Sequence, residues 1–228
     1  MSRTINVVRM QFVNKQTFIW VPLIVLVGAF LLSLAIYAMI PTDAVKVGGG
    51  SGAPLWYFMV VGVQALTLSF PFSQAMSVTR REFFLGTLGA ALVTAVMLAI
   101  IFVIGGLVEQ ATHGWGMNGY FFYFDWIWAA GPLAAFFIYF VVAMLFFVVG
   151  FWAATIYKRW GALWLTVVLV GIAFVLVGLM WVTGFANAWV QVFTWFAVTG
   201  ALGLALWGVL LGAVLAAISF AILRRAIP

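Results

Sequence analysis

Long apolar runs, interrupted by charge at only a few places, decide what this chain can fold into. With 68% hydrophobic and 6% charged residues and a mean hydropathy of +1.27, it has too few polar side chains to cover a water-facing surface. A helix that crosses the roughly 30 Å hydrocarbon core needs about 20 mainly apolar residues. Runs of that length, bounded by charge, Gly or Pro, fall near 18–40, 54–76, 84–108, 126–156, 160–183 and 198–223. The expected fold is an all-α integral membrane protein: one transmembrane domain over 1–228, with six spanning helices.

Orientation follows from the basic residues, because Lys and Arg collect in short loops on the cytoplasmic side. Arg3, Arg9 and Lys15 precede the first run, Arg80 and Arg81 follow the second, Lys158 and Arg159 the fourth, and Arg224 and Arg225 the sixth. Lys46 alone falls on the other side, with Asp43, Glu109, His113 and Asp125. Both termini are therefore expected inside. The net charge of +6 is spread in pairs along the membrane borders, which suits anionic lipid headgroups and argues against a nucleic-acid face. No disulfide framework or thiolate chemistry is open to a chain with 0 Cys. Residues 3–16 are polar and basic for too long to begin a cleavable leader, so the first run is expected to stay as an anchor.

Between the runs, several segments have readings of their own. Residues 2–17 read as an amphipathic interfacial helix, with Ile5, Val8 and Phe12 at helical spacing and Arg3, Asn6, Asn14, Lys15 and Gln16 more polar; a frayed tail is the alternative. Gly48 to Gly52 reads as a flexible tether without packed structure. The loop from Glu109 to Phe124 mixes Gly114, Gly116 and Gly119 with Trp115, Tyr120, Phe121, Phe122 and Tyr123, as an interfacial aromatic belt or a lid would. Phe185 to Leu223 would extend about 58 Å as one helix, so it reads either as a long tilted span or as an external or re-entrant piece over 185–197 before the sixth span. Small residues at Gly86 and Ala90, Gly171 and Gly178, and Gly208 and Gly212 allow close helix approach.

The runs hold no Asp, Glu, Lys, Arg or His from which an acid, base, nucleophile or metal site could be assembled, and His113 is the single histidine. No Gly-rich phosphate loop followed by Lys and Ser or Thr occurs. The chain is therefore expected not to be an enzyme by itself and to hold no cofactor or metal. Uncharged polar residues are richest in the second run, where Gln64, Ser69, Ser73 and Gln74 accompany Pro71. They read as interhelical hydrogen-bonding groups or as the lining of a substrate path.

One charged island stands between the second and third runs: Thr79, Arg80, Arg81, Glu82, Phe83 and Phe84. Its charges must face water. Thr79 followed three residues later by Glu82 matches a capping box, for a short cytoplasmic helix or for the start of the third span. Arg80 and Arg81 would then project from the surface beside the anchoring pair Phe83 and Phe84.

The stretch from Phe70 to Thr87, FPFSQAMSVTRREFFLGT, resembles a segment of the permease subunits of bacterial ATP-binding-cassette transporters of the type-2 exporter class. There a small residue, Thr or Ser, two basic residues, an acid and an apolar pair lead into the third span. The layout of an N-terminal interfacial helix, six spans with both ends inside and an extra external piece before the sixth is similar too. The resemblance implies a plasma-membrane permease that forms a translocation path with a second, identical or different, permease chain, driven by separate ATPase subunits. It places the coupling to those ATPases on Thr79 through Phe84 and ATP hydrolysis on the partner. A non-transporting membrane scaffold or regulatory protein is the alternative.

Overall fold

A computed structural model describes residues 3–13, 15–42 and 44–224, so Asn14, Asp43 and Arg225 lie outside the described residues. About 87% of it is helical. Among the described residues, six helices are long and apolar enough to cross a membrane: Gln16–Met39, Gly49–Ala75, Arg80–Ala111, Pro132–Trp160, Ala162–Phe185 and Trp189–Leu223. The expected spans are present in number and order. In chain order the α-helices are α1 (Arg3–Val13), α2 (Val21–Met39), α3 (Ala53–Thr67), α4 (Ser69–Ala75), α5 (Arg80–Ala111), α6 (Asp125–Trp128), α7 (Pro132–Trp160), α8 (Ala162–Phe185) and α9 (Trp189–Leu223).

Prolines set most of the breaks. Pro22 has no N–H for the carbonyl of Phe18, and the turn before it widens to a π-helix over Gln16–Trp20, where Val21 N–H reaches the Gln16 carbonyl. Pro71 likewise has no N–H for Thr67, and the second span divides at Leu68 into α3 and α4. The run expected at 126–156 is not one helix. Gly131, at φ +89°, separates α6 from α7, because the ring of Pro132 disfavours helical geometry in the residue before it and suits the first turn of the helix it opens. The third span is longer than the expected 84–108 at both ends. The last helix is interrupted at Gly200 (φ 62°, ψ 175°), near the division expected at 198, leaving helical pieces on either side.

The core forms where α7 meets α3, α5 and α9, around Phe58, Phe83, Phe147 and Phe151. Gly62 of α3 lies against the backbone of Phe147 and Phe151, and Gly150 of α7 lies against the carbonyl of Met59, leaving no room for a Cβ on either. Within a bilayer this close approach gains dispersion contacts rather than hydrophobic transfer, since lipid chains are as apolar as the side chains they replace. α8 has no buried residue and packs mainly on α7.

α1 packs along α5, and Val8, Met10 and Phe12 lie against the core. The buried residues of α1 are Val7 and Gln11, while the expected Ile5 is exposed and Val8 and Phe12 are half-buried. Two contacts decide this face. Gly86 of α5 gives Val7 a close seat, and the Gln11 amide is satisfied at both ends: Nε2 donates to Thr87 Oγ1 (2.9 Å) and Oε1 accepts from Ser69 Oγ (3.0 Å).

At the opposite end of the bundle, the two loops whose sequences read as a tether and as an interfacial belt or lid pack together. Lys46–Val47 pairs in parallel with Gly119–Tyr120, and Gly50 sits against Ser33 and Phe121. Phe121 and Phe122 are buried with Leu26, Phe102 and Trp128. Glu109, fully buried near the end of α5, organises this region: Oε1 accepts from Trp115 Nε1 (3.0 Å) and Phe121 N (2.9 Å), and Oε2 from Phe122 N and Tyr123 N (both 2.8 Å). Burial first, and then the hydrogen bond to Asp125, push the neighbouring Tyr123 phenol up from its ordinary value.

Candidate functional site

The charged island begins at Thr79, whose extended backbone (φ −69°, ψ 150°) stops the chain short of α5. The capping box is formed in full. Thr79 Oγ1 accepts from Glu82 N (3.2 Å) and donates to Glu82 Oε2 (2.8 Å), which also accepts from Thr79 N (3.0 Å). It caps the 32-residue α5 itself. No separate short helix stands between the second and third spans, because the tight turn over Met76–Val78 leads straight into the cap.

Ser73 and Gln74, read as path-lining candidates, close the last turn of α4 and the loop after it. Ser73 Oγ donates to the Phe70 carbonyl (2.7 Å), and its own carbonyl accepts from Val78 N (3.1 Å). Gln74 Nε2 donates to the Val78 carbonyl (3.1 Å). Gln64 and Ser69 come together elsewhere, at a niche of about 60 Å³ shared with Met10, Gln11, Thr17 and Phe18. The four therefore divide into a loop brace and a docking niche for α1.

The four remaining island residues point two ways. Phe83 and Phe84 are buried, not spread on the surface: Phe83 packs edge-on to Phe70 at 5.1 Å, and Phe84 contacts Phe151 and Phe220 at 5.9 and 5.0 Å. They root the first turn of α5 in the core. Arg80 Nη1 donates to the carbonyls of Leu223 (3.4 Å) and Arg224 (2.5 Å), the last turn of α9. Arg81 is exposed and makes no hydrogen bond to a described residue. An open depression of about 650 Å³ is bounded by Arg80, Arg81, Phe220 and Arg224.

Electrostatics separate the two arginines. A cation in the first turn of a helix faces the positive end of its dipole, which disfavours it by about 0.3–1 kcal/mol. For Arg80 the carbonyls at the end of α9 offset this, since a helix C-terminus is where a guanidinium is favoured. Among the described residues, Arg81 has no such offset. Its charge is the part of the island that packing leaves unexplained.

Sequence reasoning missed Gln11, Glu109 and the α9 terminus as partners. The first had a weak signal, a Gln at 4-residue spacing from Val7, and the second was a lone acid near the end of a span. Among the described residues, no three His, Cys, Asp or Glu side chains gather as a metal site would need. No family model, curated protein or solved structure matches this chain.

Proposed function

We propose that this chain is the transmembrane permease subunit of an ATP-binding-cassette transporter in a bacterial plasma membrane, with both termini cytoplasmic. Separate ATPase subunits drive it, and a second permease chain completes the translocation path. The observation that carries this reading is the split role of Arg80 and Arg81. A rigid, capped helix start presents Arg81 outward, while Arg80 fastens the same turn to the end of α9. A force applied at Arg81 would therefore be delivered to the third and sixth spans together, as a coupling element requires. The exposed charge suits an acidic groove on a partner.

The test uses the full-length chain, affinity-tagged and isolated from its native membranes. It should co-isolate an ATP-binding-cassette ATPase, and Arg81→Glu should release that ATPase while the chain itself still elutes as a single folded species. Isolation without an ATPase, or an ATPase retained by Arg81→Glu, overturns the reading. The scaffold alternative draws on the hydroxyls of Ser73, Thr94, Thr155 and Ser219, all bonded to carbonyls of their own helices rather than facing a path. Under that reading no ATPase co-isolates.

A further inference from the structure

α7 is flanked by α8 on one side and by α9 on another, and α8 has no substantial packing against α9. The result is a cleft of about 430 Å³ at the basic end of the bundle, walled by Trp152, Ile156 and Trp160 of α7, Trp164 of α8, and Ile218 and Ile222 of α9. Its walls are almost wholly apolar. Ile218 and Ile222 also form the floor of an adjoining depression of about 580 Å³, and that one is bounded by Arg159 and Arg224. One continuous surface thus runs from a pair of guanidiniums into an aromatic-lined cleft.

We propose that this surface binds an anionic phospholipid, its phosphate between Arg159 and Arg224 and one acyl chain in the tryptophan cleft. Charge complementarity selects the headgroup, because two guanidiniums donate to phosphate oxygens with paired geometry. The cleft selects a lipid over a free anion, since only a molecule with a long apolar part fills both halves. The guanidinium of Arg159 lies 4.4 Å over the Trp160 ring, which holds it at the junction of the two halves. Tryptophans at this depth suit the boundary between headgroups and chains. The site holds for a permease and for a scaffold alike.

The experiment measures lipid binding to the full-length protein in nonionic detergent by native mass spectrometry. The probes are dioleoyl phosphatidylglycerol, dioleoyl phosphatidylcholine and inorganic phosphate. Phosphatidylglycerol should bind in preference to phosphatidylcholine, and Arg159→Gln and Arg224→Gln should each weaken it by about fivefold. Lys46→Gln, in the loop pairing at the opposite end of the bundle, should leave it unchanged. Trp164→Ala should weaken both lipids alike, because it acts on the chain. Arg224→Gln keeps the backbone carbonyl that Arg80 uses, so folding is preserved, and an unchanged elution profile checks this. Equal binding of the two lipids, unaltered phosphatidylglycerol binding by the double arginine variant, or displacement of the lipid by millimolar phosphate each overturns the proposal.

Discussion

Arg80, the first residue of the third span, donates from Nη1 to the backbone carbonyl of Arg224, the residue that caps the end of the sixth span. Two helix termini 144 residues apart in sequence are joined by one guanidinium. The positive end of one helix dipole and the negative end of another meet there, and the arginine satisfies the end whose carbonyls lack intrahelical partners. Below the junction, Phe84 packs on Phe220 at 5.0 Å, so the same pair of helices is also joined in the core.

The two island arginines should therefore fail differently. Arg80→Gln loses charge-assisted bonds that are only partly buried and should lower stability by about 1–2 kcal/mol. Arg81→Gln should stay within about 0.5 kcal/mol of wild type. Thermal unfolding of the purified protein, followed by tryptophan fluorescence, separates them. A larger loss for Arg81→Gln than for Arg80→Gln would reverse these roles.

The cap at Thr79 makes a sharper comparison. Thr79→Ala leaves Glu82 N–H without its acceptor and should cost about 1 kcal/mol. Thr79→Ser keeps the hydroxyl and should behave nearly as wild type. Hydrogen exchange at the amides of residues 80–83 reads the change directly: faster exchange is expected for the alanine variant alone. Equal exchange in both variants would mean that the hydroxyl does not hold the helix start.

What could be read from sequence divides by the range of the interaction. The spans were legible because a bilayer imposes a length on them, and the box at Thr79 and Glu82 because its partners are three residues apart. The break at Gly131 was harder, since apolar residues continue on both sides of it and only the Gly-Pro pair marks the interruption. Arg80 with Leu223, Gln11 with Thr87 and Ser69 with Gln11 are 143, 76 and 58 residues apart. No local pattern encodes such pairs. The same limit hid the fate of Phe83 and Phe84: an aromatic pair after two arginines reads equally as a surface anchor or as a core root, and only the positions of Phe70, Phe151 and Phe220 decide.

Close approach of α3 and α7 predicts an asymmetry among glycines. Gly62→Ala would place a methyl group on the backbone of Phe147, which neither helix can move alone, so a loss of about 3 kcal/mol or more and a fall in folded yield are expected. A Cβ on Gly171 would meet nothing within 4 Å. Gly171→Ala should be neutral or should gain up to about 1 kcal/mol from helix propensity. Size-exclusion profiles and unfolding temperatures of the two variants test this, and equal behaviour would rule out the tight α3–α7 contact.

At the other end of the molecule, Glu109 carries a prediction that depends on chemistry rather than size. Each of its carboxylate oxygens accepts two N–H groups, from Trp115 and Phe121 on one side and from Phe122 and Tyr123 on the other. A carboxylate can accept at both oxygens, whereas the amide of Glu109→Gln must turn an NH₂ toward one of these pairs whichever way it is flipped. Two buried N–H groups would then face a donor, at about 1–3 kcal/mol for each group left unsatisfied. Near-isosteric Gln should consequently destabilise the loop almost as much as Ala does. The check is amide exchange at residues 121–123 together with the near-ultraviolet circular dichroism of the aromatic cluster around Phe121 and Phe122. Retention of both signals by Glu109→Gln would show that the carboxylate does not organise this end.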